Sequence, residues 1–379
     1  MKAIIPFFHH DLGEEELASI REVFAGPILT TGDFVARFEK GFAEFLGTKH
    51  VLGVTSCTGA LHLAMVSMGI GKGDEVITTP LTFVATAEAI VNTGANPVFV
   101  DVEADTGNIN AELIEAAITP RTKAIIAVHL YGLMSDMNRI RAIADKHGLK
   151  VIEDAAHCIE GQRDGRRVGE LADAACFSFF ATKNITCGEG GAVSTNDTEL
   201  FERMRRLRTH GMNKTAADRY KEGFTHWDVV ESGWKYNMSN IEAAILLPQL
   251  KRILPNLEKR QSLAEDYIKA LNVDRSESGL SYSASRSQAR HARHLFTVWV
   301  PPEKRDAIIN KMQASGVPCV VNYRPVHLLT WYQEHLGYKS KSFPNAEMIG
   351  SRTISLPLFP TMPKENVAIV VEKLKAALT

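Results

Sequence analysis

Residues 178–191 of the chain read SFFATKNITCGEGG and place Lys183 between an apolar, hydroxyl-bearing stretch and a glycine-rich turn. Upstream, residues 151–157 read VIEDAAH, an apolar segment that runs into the carboxylate of Asp154. Such apolar runs are typical of strands covered on both faces, and α/β sheets bind ligands beyond the carboxyl ends of their strands. We therefore expect the amine of Lys183 and the carboxylate of Asp154 to converge in one crevice.

Strand-like and helix-like segments alternate between residues 50 and 195. Helix patterns separate the strands, with Asn110 as a plausible N-cap and Gly148 after the last turn of its helix. This alternation predicts an α/β fold with a mostly parallel seven-stranded sheet flanked by helices. The strand candidates are 50–55, 75–79, 97–102, 124–130, 150–154, 175–180 and 191–195, and the helix candidates are 59–68, 82–92, 110–118 and 136–147.

The pattern changes after residue 198. A helix pattern covers 199–208, and a longer one covers 241–271, where Pro248 and Pro255 should kink or divide it. A terminal helix is predicted over 364–378. We expect a large domain over residues 1–250 and a smaller C-terminal α+β domain over 251–379, with about the first 12 residues packing on the smaller one.

Composition excludes several classes of function. The 379 residues are 45% hydrophobic with a net charge of −1, which gives no electrostatic case for nucleic acid or anionic membranes. The five cysteines show no CxxC spacing, and the apolar run at residues 3–8 is too short for a signal peptide, so we expect a cytoplasmic protein. No HExxH, P-loop or GxGxxG pattern is present, so no metal site is expected and nucleotide-cofactor functions lose their main support.

A buried amine and a buried carboxylate at strand ends are what pyridoxal 5′-phosphate (PLP) requires. The amine of Lys183 attaches the cofactor covalently, and the carboxylate of Asp154 keeps its pyridinium nitrogen protonated. Taken alone, each residue has a simpler interpretation: Lys183 as an exposed loop lysine, and Asp154 as an N-cap for the segment that follows it.

Other residues likewise have both a structural and a functional interpretation. Residues 56–61, SCTGAL, are either an ordinary N-cap turn or a phosphate cradle at a helix N-terminus, with Ser178 as a second hydroxyl. Phe83 is either a core residue or a ring that stacks on the cofactor. His157 is either structural or placed beside the cofactor ring. Residues 233–239, GWKYNMS, indicate packing and N-capping by Ser239 or Asn237.

With these residues in place, the chain resembles the PLP-dependent nucleotide-sugar aminotransferases of the DegT type, which share the fold-type I aspartate aminotransferase architecture. The resemblance covers essentially the whole chain, and its most specific part is the FSF…TK…GEGG block beside EDAAH. Further segments match in order: 30–32, 38–39, 56–61, 73–77, 80–86, 97–102, 129–132, 208–211, 233–239, 343–347 and 356–360.

The resemblance implies roles by position. Lys183 would carry the cofactor, Asp154 would pair with its ring nitrogen, and Phe83 and His157 would contact its ring. Cys57, Thr58 and Ser178 would hold the phosphate. Asn237 matches the asparagine that reaches the phosphate from the partner subunit, which implies a homodimer with shared active sites. The remaining matches imply substrate-binding residues, namely Thr31, Tyr323 and His327.

Three features of the chain bear on its place within that family. Cys57 stands where many members have glycine, which implies a contact through its backbone amide. Asn322 and Tyr323 replace the common His-Tyr pair, which puts sugar contacts there in doubt. Lys183 is retained, whereas a dehydratase branch carries histidine, and this favours transamination.

The activity implied is transfer of an amino group from L-glutamate to a nucleotide-linked keto-sugar by a two-step ping-pong mechanism. The form KNITCxEGG resembles members that act at C4 of UDP-4-keto sugars, in pathways that make amino sugars for polysaccharide and lipopolysaccharide. The alternatives are a GDP- or dTDP-linked 4-keto-6-deoxyhexose or a 3-keto sugar, another PLP reaction such as dehydration, and a cofactor-bound protein that has lost turnover.

Overall fold

A computed structural model describes residues 5–214, 226–272 and 279–379 of the chain. Seven strands form the central sheet in the order β1-β9-β8-β5-β4-β2-β3. β9 runs antiparallel to both of its neighbours, and the remaining neighbouring pairs are parallel. The mostly parallel seven-stranded sheet is thus confirmed. Its strands are β1 (His50–Val54), β2 (Glu75–Thr78), β3 (Asn96–Phe99), β4 (Thr122–Val128), β5 (Lys150–Asp154), β8 (Ala174–Ser178) and β9 (Gly191–Thr195).

Two small three-stranded sheets lie outside the central one. One joins β6 (Gln162–Arg163), β7 (Arg166–Arg167) and β11 (Ala289–Arg290); the other joins β10 (Ser281–Tyr282), β12 (Phe296–Trp299) and β13 (Thr353–Leu356). The helices are α1 (Glu14–Ala25), α2 (Asp33–Leu46), α3 (Cys57–Ser67), α4 (Ala85–Asn92), α5 (Ala111–Ile114), α6 (Met137–His147), α7 (Thr198–Leu207), α8 (Asn240–Leu250), α9 (Ile253–Leu271), α10 (Arg305–Ala314), α11 (Thr330–Leu336), α12 (Pro344–Arg352) and α13 (Glu365–Leu378).

Helices cover both faces of the central sheet because alternate side chains of each strand point to opposite faces. In β4, Ile125 packs into a core formed with α2, α6 and α8, whereas Ile126 packs into a core formed with α3, α4 and α7. The expected caps are present: Asn110 accepts from Glu112 N at 3.0 Å, and Gly148 ends α6 in the left-handed region at φ 64°.

A separate hydrophobic core lies toward the C-terminus. It combines the second half of α9 with β12, α10, β13 and α13, and Ile5 from the amino-terminal segment joins it. α9 connects the two regions, because Ile253 packs in the core against the central sheet and Tyr267 packs in this second core. The boundary at residue 250 stays a prediction.

The helix predicted over 241–271 is divided, as expected, and the break lies between its two prolines. α8 contains Pro248, and the chain leaves helical pairing at residues 251–252. Pro255 falls in the first turn of α9, where a backbone N–H has no partner within the helix to lose. Within the described residues, no helix has the length and apolar character needed to cross a membrane.

Candidate active site

A cleft of about 430 Å³ opens at the carboxyl ends of β5 and β8, between the central sheet and the second core. Phe7 and Phe8 of the amino-terminal segment line the cleft together with Leu356, Leu358 and, from α3, Leu61. Eight of the residues predicted from sequence line this cleft together: Cys57, Thr58, Phe83, Asp154, His157, Ser178, Lys183 and Tyr323.

Asp154 is the last residue of β5, and its side chain is buried. Its Oδ2 accepts a hydrogen bond from Thr86 Oγ1 at 2.7 Å, and its Oδ1 accepts from Ala156 N at 3.2 Å. The segment after Asp154 is a turn, not a helix, so the N-cap interpretation is wrong. The thiol of Cys57 also donates to Oδ1 at 3.9 Å, so three donors hold the carboxylate in place while it faces the cleft.

Lys183 lies in the loop between β8 and β9. Its backbone N–H donates to Phe180 O at 2.9 Å, and its side chain reaches the cleft. Burial lowers the pKa of its amine to about 8, although the nearby Cys57 and Asp154 act to raise it. A substantial share of the amine is thus neutral near physiological pH, which is the form that attacks a carbonyl. The interpretation as an exposed loop lysine is wrong.

The next residue, Asn184, fixes this loop through a hydrogen bond to a buried glutamate. Its Nδ2 donates to Glu160 Oε2 at 2.8 Å, and Glu160 Oε1 in turn accepts from Arg260 Nη2 at 2.6 Å. Glu160 and Arg260 are both almost completely buried. Because Arg260 belongs to α9, the ion pair ties the helix that joins the two cores to the loop that carries Lys183.

The N-terminus of α3 forms the opposite side of the cleft. Ser56 caps the helix by accepting from Gly59 N at 3.0 Å, and Cys57 and Thr58 occupy its first turn. The turn is therefore an N-cap turn whose residues line the cavity, and its role as a phosphate cradle stays a prediction. Ser178, at the end of β8, adds a hydroxyl to the same lining.

Aromatic rings occupy the wall around His157. Phe83 is 57% exposed, so its interpretation as a core residue is wrong. Its ring centroid lies 5.8 Å from that of Tyr323. His157 Nε2 lies 3.1 Å from the Tyr323 hydroxyl, and its ring is 4.3 Å from that of His294. Burial, followed by the charge of Lys183, lowers the pKa of His157 well below its usual range.

Three of the predicted site residues lie outside this lining. Asn237 donates through Nδ2 to Thr31 Oγ1 at 2.7 Å, and Thr31 donates to Met238 O at 2.7 Å. These two residues form a cluster just before α8. His327 is fully buried and its Nε2 lies 3.0 Å from Glu347 Oε1. Their cofactor and substrate roles stay predictions.

Comparison with known proteins assigns this architecture. Residues 10–375 match the DegT/DnrJ/EryC1/StrS aminotransferase family, which covers nearly the whole chain. The chain belongs to this family. The chain is similar to the spore coat polysaccharide biosynthesis protein SpsC of Bacillus subtilis, with 41% identity over 377 residues that cover 98% of this chain and 96% of SpsC.

Solved structures of the DegT family give the same fold. A putative sugar aminotransferase, Spr1654 of Streptococcus pneumoniae in its PMP form, superposes with a TM-score of 0.92 at 29% identity and 99% coverage of both chains. PseC of Helicobacter pylori, an aminotransferase of pseudoaminic acid biosynthesis, gives a TM-score of 0.91 at 29% identity, also with 99% coverage of both. The chain is thus a PLP-dependent aminotransferase of the fold-type I architecture.

The cleft of this DegT-family chain fits PLP. It offers one amine of lowered pKa in Lys183, one buried carboxylate in Asp154, and the N-terminus of α3 with the hydroxyls of Thr58 and Ser178. In PLP, the amine would react with the aldehyde, the carboxylate would pair with the pyridinium nitrogen, and the helix N-terminus with its hydroxyls would bind the phosphate. The cofactor that the sequence predicted is confirmed by the family.

Several residues of the site were not predicted from sequence. Thr86 lies within a segment that was noted, but nothing in the segment assigns it to Asp154. Tyr131 and His294 approach His157 from distant parts of the chain. No motif spacing connects them, so only the packing of the second core against the sheet reveals them.

Proposed function

We propose that this aminotransferase moves an amino group from L-glutamate to a nucleotide-linked keto-sugar, at C4 of a UDP-4-keto sugar. One observation carries the proposal: the cleft holds both the amine of Lys183, whose pKa is lowered, and the carboxylate of Asp154, which is fixed by hydrogen bonds. The bound cofactor supplies an electron sink that stabilises the carbanion formed when the substrate loses its α-proton.

Each residue of the cleft has a distinct part in this proposal. Lys183 attaches the cofactor and, when displaced by a substrate amine, moves a proton at the reacting carbon; positioned proton transfer contributes roughly 10²–10⁴-fold. Asp154, fixed by Thr86, holds a proton on the ring nitrogen. The N-terminus of α3 binds the phosphate, and the exposed ring of Phe83 covers the cofactor ring.

The sugar substrate is supported by the relatives. SpsC is named for polysaccharide biosynthesis, and PseC for the biosynthesis of pseudoaminic acid. The UDP linkage and the C4 position rest on the resemblance of residues 183–191, KNITCGEGG, to members that act on such sugars. Retention of Lys183 supports transamination over dehydration.

The cleft of one chain looks incomplete for this substrate. Among the described residues that line it, Lys183 is present but no arginine is. Two phosphates of a nucleotide and two carboxylates of glutamate need more donors than that. A homodimer in which the partner subunit contributes the cluster of Thr31 and Asn237 would supply part of them.

The five free cysteines support a reducing, cytoplasmic setting.

A panel of UDP-, GDP- and dTDP-linked 4-keto sugars and a 3-keto sugar tests the proposal, with glutamate as donor and the product read by its mass. We expect amination of a UDP-4-keto sugar and loss of the cofactor's visible absorbance in Lys183→Ala. The exposed Lys123→Ala is the matched control and should keep both. A normal half-reaction with glutamate alongside failure of every keto-sugar would overturn the sugar assignment.

A further inference from the structure

The hydrogen bonds around His157 have a fixed direction. The backbone N–H of Tyr131 donates to His157 Nδ1 at 3.3 Å, and a peptide N–H can only donate. Nδ1 is therefore unprotonated. His157 is neutral, since burial and Lys183 lower its pKa well below the usual range. A neutral imidazole carries one proton, so that proton is on Nε2.

The phenol of Tyr323 consequently accepts from His157. The Nε2 proton points at the Tyr323 oxygen 3.1 Å away. Burial raises the pKa of Tyr323, and the side chain of the adjacent Asn322 opposes that rise, which is the effect of a donor directed at the phenol. Ser355 Oγ donates to Asn322 Oδ1 at 2.7 Å, so the amide NH₂ of Asn322 is the group left for the phenol.

The phenol oxygen of a tyrosine can both donate and accept a hydrogen bond. His157 occupies the acceptor side of the Tyr323 oxygen, so the phenol's own proton is directed away from His157. Burial raises the pKa of the phenol far above neutrality, which keeps that proton in place. Tyr323 lines the same cleft as Lys183. The free direction of the O–H bond is therefore the cleft itself.

We propose that Tyr323 donates a hydrogen bond to the carbonyl oxygen of the ketone that each half-reaction consumes or releases, with His157 and Asn322 as positioning residues. This role rests on the proposed transamination of a ketone. When an amine adds to the ketone, a C–N bond forms and negative charge develops on the oxygen. The C–O bond then breaks, and the oxygen leaves as water with the two protons of the amine. Tyr323 stabilises the charged oxygen and keeps its proton.

Tyr323→Phe removes the donor and leaves the ring. Loss of one such donor costs about 10²-fold in kcat in comparable sites, so we expect about that loss in both half-reactions, with the cofactor's visible absorbance retained. Tyr338→Phe is the matched control. Its hydroxyl donates to Pro97 O at 2.8 Å beside β3, outside the cleft. This variant should stay within about twofold of wild type.

Asn322→Asp tests the direction of the hydrogen bond. A carboxylate accepts, so it would draw the phenol proton away from the cleft without changing the shape of the side chain. We expect a loss similar to that of Tyr323→Phe, and little further loss when both changes are combined, because both remove the same donor. Independent, multiplying losses would overturn the positioning role of Asn322.

The two proposals fail separately. The half-reaction with glutamate needs no sugar, so a slow Tyr323→Phe half-reaction supports the role of the hydroxyl even if no keto-sugar is accepted. An unchanged rate of that half-reaction in Tyr323→Phe overturns the role of Tyr323, even if wild type aminates a UDP-4-keto sugar.

Discussion

The proposed attachment of PLP to Lys183 requires the neutral amine, and the surroundings of Lys183 determine the pH at which that form appears. Burial is the largest influence and lowers the pKa to about 8, against the opposing effects of Cys57 and Asp154. An ordinary lysine has a pKa near 10.4. The neutral fraction therefore rises with pH through about 8 and is nearly complete one to two units above it.

We predict that cofactor-free protein attaches PLP at a rate that increases with pH and levels off above about pH 9. Stopped-flow absorbance of the bound cofactor between about pH 6 and 10 measures this. Free lysine analogue mixed with PLP is the reference and should continue to gain rate toward pH 10. The same late rise in the protein would show that burial does not lower the pKa of Lys183.

At the residue scale, the sequence predicts those groups that follow strands. Asp154 and Lys183 could be placed in one crevice because parallel strands end at the same edge of a sheet. Asn184 and Tyr131 could not be assigned, since each acts through a contact with a segment 24 or 26 residues away in the chain. Their amide groups have no sequence pattern of their own.

At the element scale, the start of β9 is packed directly against the start of α3. A Cβ atom on Gly191 would lie 2.5 Å from Cys57 N and closer still to the backbone of Ser56. No side chain fits between these two backbones. The close approach fixes the N-terminus of α3, whose first N–H groups face the cleft, relative to the sheet.

We predict that Gly191→Ala pushes α3 away from β9, weakens PLP binding and lowers the free energy of unfolding by about 1–3 kcal/mol. Urea denaturation and a cofactor titration measure the two effects. Gly71→Ala is the matched control, because its Cβ would meet Thr93 O at an ordinary 3.6 Å. Wild-type PLP affinity in Gly191→Ala would show that this contact does not position the phosphate site.

Elements with strong periodicity were predictable, and their junctions were not. All seven strands of the central sheet were expected from apolar runs, because burial on both faces leaves that pattern. Pro248 and Pro255 indicated that the long pattern over 241–271 would be divided, but they did not locate the break at residues 251–252. There Arg252 pairs with Glu15 and Glu16 of α1, a contact that the pattern does not show.

At the scale of the whole molecule, the site depends on how the second core sits against the sheet. The buried pair of Arg260 and Glu160 holds α9 against the loop of Lys183. Tyr323 and Leu356 reach the cleft from the second core's side. Catalytic geometry is therefore shared between parts of the chain that periodicity assigns to different domains.

The proposed homodimer would extend this sharing beyond one chain through Asn237. Asn237 and Thr31 bond to each other and do not line the cleft of their own chain among its described residues. If Asn237 completes the site of a partner subunit, a symmetric dimer has two sites, each built from both chains. A mixture of two inactive variants can then regain activity.

We predict that Lys183→Ala and Asn237→Ala subunits, each nearly inactive alone, recover activity when they are unfolded and refolded together. In a hybrid dimer, one site receives both changes and the other receives neither, so random pairing should restore about one quarter of wild-type activity. Refolding Lys183→Ala with Asp154→Ala is the control, because both residues line the same chain's cleft. In that mixture every site keeps one defect and no activity should return. If Asn237 served only its own chain, the first mixture would stay as inactive as the control, because every site would again carry one of the two changes.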